Sequence, residues 1–210
     1  KRGDLPVERD NINFIAFGGD GGTYDIGLQS LSGAMERGHN MLYVCYDNNA
    51  YMNTGIQRSS ATPVGAHTST APAGTHSTGK TQPRKDLTKI LVAHNIPYVA
   101  QTTPYHWKDL AMKVEKALAT PGPAFLNILM PCTPGWHFDP AIGIDLAREA
   151  VECNFWPVLA CLFPTSQKGY LSVIRRDRIQ CLPVILFDPT PPCTLHWSSR
   201  RTLDGPRRYL

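Results

Sequence analysis

No apolar run in the 210 residues approaches the roughly 18 to 20 that a membrane span needs. The first residues, Lys1-Arg2-Gly3-Asp4-Leu5-Pro6, lack the apolar stretch of a secretory signal and do not begin with Met. Six cysteines are present (Cys45, Cys132, Cys153, Cys161, Cys181 and Cys193), yet none stands in the closely spaced pair of a zinc or redox motif. A reducing, cytoplasmic setting is therefore expected. A continuous basic patch is missing too: the net charge is +4, but Arg175-Arg176-Asp177-Arg178 and Arg200-Arg201 are short, separate clusters. That argues against a nucleic-acid partner, as the absent apolar run argues against a membrane. What is present is a hydrophobic fraction of 42%, enough for one sizeable core, with 17 Gly and 18 Pro to shape long loops.

The periodicity predicts an alternation of strands and helices. Residues 13–17 (NFIAF) read as a short buried strand ending in the turn Gly18-Gly19. Asp25 is placed to cap a helix over residues 26–37, with Leu28, Leu31 and Met35 on one face and Gly38 as its stop. Residues 41–46 (MLYVCY) read as the next buried strand. From Asp47 to about Lys85 no period survives, and residues 59–83 are dominated by Ser, Thr, Ala, Gly, Pro and His. Loops of that length inside a compact domain are functional or disordered. Regular patterns return as a helix at 86–94, a strand at 98–100, a helix at 107–119, a strand at 124–130 and a helix at 142–153. The fold class expected is α/β, a mostly parallel sheet with helices on both faces, over residues 1–156.

In such sheets ligands sit beyond the carboxyl ends of the strands, which directs attention to two loops. They are Gly18-Gly19-Asp20-Gly21-Gly22 and Asp47-Asn48-Asn49-Ala50-Tyr51-Met52-Asn53-Thr54. Asp20 and Asn48 are separated by about one helix and one strand, so topology alone brings both to one edge. Each offers an oxygen of the kind magnesium takes, with phosphate and water completing the shell. Gly19, Gly21 and Gly22 let a diphosphate approach the backbone, and the start of the following helix offers unpaired N–H groups.

GDGGTYDIGLQSLSGAMERGHN together with YDNNAYMNTGIQRSSATP resembles the thiamine diphosphate motif. The match, over roughly residues 12–157, is similar to the beta, thiamine diphosphate-binding subunit of the pyruvate:ferredoxin oxidoreductase and wider 2-oxoacid:ferredoxin oxidoreductase family. By that resemblance the magnesium ligands fall on Asp20, the side chain of Asn48 and the backbone carbonyl of Ala50. Gly19, Gly21 and Gly22 line the diphosphate. Met52, Asn53 and Thr54 lie beside the cofactor, with Asn53 as the catalytic residue facing the reacting carbonyl. Cys132, in the turn Pro131-Cys132-Thr133-Pro134-Gly135-Trp136, matches a thiolate ligand of a [4Fe-4S] cluster. The implied reaction is oxidative decarboxylation of pyruvate to acetyl-CoA with electrons passed to ferredoxin, and the implied partners are the alpha and other subunits, ferredoxin and coenzyme A. Branched-chain or aryl 2-oxoacid relatives share much of the pattern.

Several features depart from it. The family's other three cluster cysteines precede the first strand, and this sequence has no Cys before Cys45, which implies an N-terminally truncated domain with an incomplete ligand set. Such a chain would be inactive without the missing cluster segment and without its partner subunit, which supplies the glutamate that activates the thiamine ring, or would be a non-catalytic, cofactor-binding paralogue. Position 49 is Asn where Glu is expected. Residues 157–210 are basic and Pro-rich, with seven prolines from Pro157 onward, and suggest a shifted reading frame or gene boundary beyond about Ala160, or a divergent interaction tail. Gly74-Thr75-His76-Ser77-Thr78-Gly79-Lys80-Thr81 satisfies the phosphate-loop pattern but lacks the preceding strand and following helix that the motif requires.

Overall fold

Five strands make the sheet of the computed structural model, which describes residues 12–163 and the backbone of 174–175 and 178–179. In chain order the strands are β1 (Ile15–Gly19), β2 (Leu42–Asp47), the short hairpin β3 (Ala73–Gly74) and β4 (Ser77–Thr78), β5 (Tyr98–Thr102), β6 (Ala124–Leu129) and β7 (Leu159–Leu162). The spatial order is β1-β2-β6-β5-β7. The first four are parallel neighbours, and β7 closes the far edge antiparallel to β5. That last strand lies past residue 156, where composition shifts. The tail readings fall mostly on residues 164–210, which lie outside the described residues apart from a two-residue pairing of Ile174–Arg175 with Arg178–Ile179.

Helices α1 (Leu28–Glu36) and α2 (Leu87–Ala93) cover one face, and α3 (Trp107–Ala119) covers the other. The alternation of strand side chains divides the core accordingly. Cys45, Val99 and Phe125 pack with Leu31, Met35, Leu87 and Leu91, whereas Val44, Tyr98, Ala100 and Leu126 pack with Ala117. Two further helices, α4 (Thr133–Trp136) and α5 (Gly143–Glu152), follow β6. Among the described residues no helix is long and apolar enough to cross a membrane.

Three expectations are corrected. Gly18 and Gly19 belong to β1 rather than to a turn, and β1 is not buried: it is the sheet edge, with Phe17 70% exposed. An apolar run has the same composition at an edge as at the centre. Asp25 caps no helix. It lies in a wide turn, Gly21–Ile26, whose Gly27 N–H donates to the Gly22 carbonyl at 2.7 Å, an i to i+5 bond. A Cβ at Gly27 would run into that same carbonyl, so the glycine permits the turn and α1 begins only after it. At the other end Gly38, at φ +68°, ends α1 as expected.

Residues 48–85 are irregular but ordered. Ser59, Thr62 and Thr68 are buried, and their hydroxyls bond nearby backbone and side chains in place of a ladder. Lys80 is buried as well and donates to the carbonyls of Thr62 (2.5 Å) and Pro83 (3.4 Å). The phosphate-loop lysine pattern is thus satisfied by backbone oxygens, and the segment ahead of it is a two-residue hairpin.

Candidate cofactor and cation site

Parallel pairing of Gly19 with Tyr46 brings the residues just beyond β1 and β2 side by side. Asp20 is 1% exposed there, its Oδ1 accepting from the Asn48 N–H at 3.3 Å and its Oδ2 from Ser59 Oγ at 2.5 Å. The Asn48 carboxamide presents one terminal atom 2.8 Å from Asp20 Oδ1 and 2.9 Å from the Ala50 carbonyl oxygen. With nitrogen at that position, Asn48 donates to both. With oxygen there, it stands from each of the other two oxygens at close to the spacing of neighbouring corners of an octahedron, roughly 3.0 Å for ligands about 2.1 Å from a small divalent ion. An amide can serve both states by turning over, which makes the cluster a fitting receptacle for a hard cation.

Electrostatics favour the same reading. Burial, and then the nearby Asp47 carboxylate, push Asp20 from its ordinary 3.8 up to about 7. A buried acid facing another acid is relieved by a cation. Asp47 itself is fully buried at the end of β2, with Oδ2 held by Tyr24 Oη and Arg84 Nη2, both at 2.5 Å. The same carboxylate and burial raise the Tyr24 phenol well above its usual range, burial being the larger cause.

The glycines differ in their reasons. A Cβ on Gly21 would run into the Tyr51 ring, whose hydroxyl donates to the Gly21 carbonyl at 2.9 Å, whereas a Cβ on Gly22 would meet open space. Gly19 has the Tyr46 ring 3.3 Å from where its Cβ would stand. Asp25 turns away from α1 and accepts from the Ser60 N–H at 3.0 Å and Tyr51 Oη at 3.3 Å. Asp25, Tyr51, Thr54, Gln57, Arg58 and Ser60 line a cavity of about 520 Å³ beside the oxygen cluster.

Of the residues singled out by sequence, the fold brings Asp20, Asn48 and Ala50 together and sets Met52 against the turn that carries Cys132. A Cβ on Gly135 would meet Met52 Sδ and lie 3.5 Å from Cys132 Sγ. Trp136 ties that turn to the cluster, its indole N–H donating to the Asn48 carbonyl at 2.9 Å. Asn53 and Thr54 are exposed, and Thr54 Oγ1 bonds Gln57. Among the described residues no group of three or more His, Cys, Asp or Glu is gathered to hold a metal. Tyr24, Asp47, Ser59 and Arg84 were not anticipated from sequence. Only Asp47, as the charged neighbour of Asn48, carried a signal, whereas Arg84 is 37 positions away from its partner.

Sheet, crossover helices and a buried polar cluster with glycines at the strand ends define the class: an α/β domain that keeps its ligand chemistry at the carboxyl edge of a parallel sheet. The chain belongs to the thiamine pyrophosphate enzymes, since the model of their C-terminal TPP binding domain matches residues 6–128. It is 56% identical over 148 residues to pyruvate synthase subunit PorB of Methanothermobacter thermautotrophicus, a match covering 70% of this chain and 51% of that protein. The PorB subunit of Thermotoga maritima is 45% identical over 186 residues, 89% of this chain and 55% of the relative, an extent that carries the match past Ala160. Ketoisovalerate oxidoreductase subunit VorB of Pyrococcus abyssi is 46% identical over 149 residues, 71% of this chain and 48% of the relative. The chain thus spans about half the length of the curated relatives it matches. A solved 2-oxoglutarate:ferredoxin oxidoreductase from Magnetococcus marinus shares the fold, with TM-score 0.54 and 23% identity over 67% of this chain and 53% of that one.

Proposed function

We propose that this chain is the thiamine diphosphate-binding part of a pyruvate:ferredoxin oxidoreductase, which converts pyruvate to acetyl-CoA and passes the electrons to ferredoxin in the cytoplasm. One observation carries the site: the convergence of Asp20 Oδ1, the Asn48 carboxamide and the Ala50 carbonyl. In this reading those three groups would hold the Mg²⁺ that neutralises the diphosphate charge. When bound, thiamine diphosphate supplies a nucleophilic carbon and an electron sink for decarboxylating a 2-oxoacid. The chain's own residues orient it. Gly19, Gly21 and Gly22 leave room for the diphosphate, Met52 and Thr54 flank the ring system, and Asn53 faces the reacting carbonyl as the catalytic residue. Ser59, by donating to Asp20 Oδ2, keeps the other oxygen turned toward the cation.

Cys132 is assigned as one ligand of a [4Fe-4S] cluster, its turn braced on the cation loop through Trp136. The alpha and other subunits, coenzyme A and ferredoxin are the partners in this reading. A second reading, a branched-chain 2-oxoacid oxidoreductase, draws on the 46% identity to the VorB subunit. To separate them, the chain is co-expressed with its genomic neighbours and coenzyme A-dependent viologen reduction is assayed with pyruvate and with branched-chain and aryl 2-oxoacids. Pyruvate is expected to give the highest kcat/KM. Preference for a branched-chain acid selects the second reading, and no activity with any 2-oxoacid removes both.

A further inference from the structure

We infer that Arg84 is a positioning residue, a latch that fastens the irregular segment 48–85 onto the end of β2 and so holds the cation loop in its binding-ready shape. The inference rests on the cation-site reading above and extends it to a residue far from the cation.

The geometry is specific. Asp47, the last residue of β2, has no exposed surface and divides its carboxylate between two tasks. Oδ1 accepts from the Asn49 N–H at 3.0 Å and the Asn49 Nδ2 at 2.7 Å, which holds Asn49 at φ +69° and sets the turn that carries Asn48 and Ala50. Oδ2 accepts from Arg84 Nη2 and Tyr24 Oη. Arg84 also donates to Tyr24 Oη at 2.8 Å, and Asn127 Nδ2 donates to the same hydroxyl at 2.9 Å. The guanidinium lies over the Trp156 ring at 4.5 Å, with Tyr24 and Phe155 at 5.8 and 6.0 Å. Arg84 therefore ties its own segment to the end of β2, to the Tyr24 turn and to the Phe155-Trp156 stretch.

Its position in the chain makes this a latch rather than a brace. The next residue, Lys85, donates its N–H to the Ser60 carbonyl at 2.9 Å and its ammonium to the Tyr24 carbonyl. Ser59 and Thr62, in the segment so pinned, bond Asp20 Oδ2 and the Asn49 carbonyl, each at 2.5 Å. Pinning residues 84–85 thus presses 59–62 onto both loops that supply the cation oxygens. Release of Arg84 would loosen Ser59 from Asp20 and leave Asp47 to hold the Asn49 turn as a buried carboxylate without its counter-charge. The α3 face of the core makes none of these contacts.

Hydrogen exchange on the full chain, with and without Mg²⁺·thiamine diphosphate, tests the latch in Arg84→Gln and Arg84→Lys. Arg84→Gln is expected to speed exchange at the amides of Asn49, Ala61 and Thr62 by about tenfold or more, while Ala100 and Leu126, on the α3 face, stay as they were. Arg84→Lys, which keeps the charge but not the planar fork, falls between, and it decides the matter alone if the glutamine variant does not fold. Affinity for Mg²⁺·thiamine diphosphate, measured by calorimetry on the chain assembled with its partner subunits, drops about tenfold in step with the exchange. Equal acceleration at Ala100 and Leu126 would make Arg84 a general structural residue and overturn the latch, as would unchanged exchange at Asn49 and Thr62 or unchanged cofactor affinity. Failure of the unsubstituted assembly to bind the cofactor strikes the functional reading, and the exchange pattern then decides the latch by itself.

Discussion

The middle of the sheet and its carboxyl edge are built from opposite materials. Midway along β5 and β6 the buried residues are Val99, Ala100, Phe125 and Leu126, sealed between helices on both faces. At the carboxyl ends of β1 and β2 the buried residues are Asp20, Asp47, Asn49 and Ser59, with Lys80 and Arg84 delivered by a segment that has almost no regular structure. The apolar half gains stability in proportion to the area it removes from water. In the polar half each group must find its own partner, and the partners found fix the shape of a ligand site. Stability and function should therefore separate along this line.

Removing bulk from the apolar half gives the largest effect on folding. Phe125 is fully buried and stacks on Tyr43 with centroids 6.2 Å apart, so Phe125→Ala should cost about 3–5 kcal/mol in denaturant unfolding. The fraction that remains folded should bind Mg²⁺·thiamine diphosphate as before, and a large loss of affinity in that fraction would blur the division. Gly21→Ala acts on the other side. Its Cβ meets the Tyr51 ring and must push it off the Gly21 carbonyl and Asp25, at a cost of about 1–3 kcal/mol, with cofactor affinity falling as well. Tyr24→Phe removes the hydroxyl shared by Asp47, Arg84 and Asn127 and should cost about 1–2 kcal/mol, seen as a lower midpoint at unchanged m-value.

The smallest effect is one of pH. Burial and Asp47 raise Asp20 from 3.8 to about 7, so the folded state holds that proton more tightly than the unfolded chain does. Stability of the metal-free protein from this group is present below the unfolded value and is lost as pH rises through about 7. A bound cation reverses the preference, and the thermal stabilisation by Mg²⁺·thiamine diphosphate should be greater at about pH 8 than at about pH 5.5. Melting curves at the two pH values check it, and an equal or smaller shift at the higher pH would speak against Asp20 as a cation ligand.

The same division governs what the sequence makes legible. Apolar periodicity identifies β2, β5, β6 and α3 because burial in a parallel sheet imprints a run, and burial of one helix face imprints a stripe. The Gly-Asp-Gly loop and Asn48 are legible because strand, helix, strand topology carries both to one edge, which the pairing of Gly19 with Tyr46 bears out. The wide turn before α1 is not legible, since Asp25 followed by apolar spacing suits a cap equally well and only the three-dimensional partners, Ser60 and Tyr51, divert it. Nor does the pattern show that Phe17 sits at an edge. Arg84 leaves no trace because hydrogen bonds between residues 24, 47, 84 and 127 have no period.

The most direct test is calorimetric titration of thiamine diphosphate into the chain assembled with its partner subunits, with Mg²⁺ and with chelator, for the unsubstituted protein and for Asp20→Ala. Saturable binding that requires Mg²⁺ and is lost in Asp20→Ala is the predicted result. Binding of equal strength in chelator, or in Asp20→Ala, would contradict the assignment of the Asp20, Asn48 and Ala50 oxygens as the cation site.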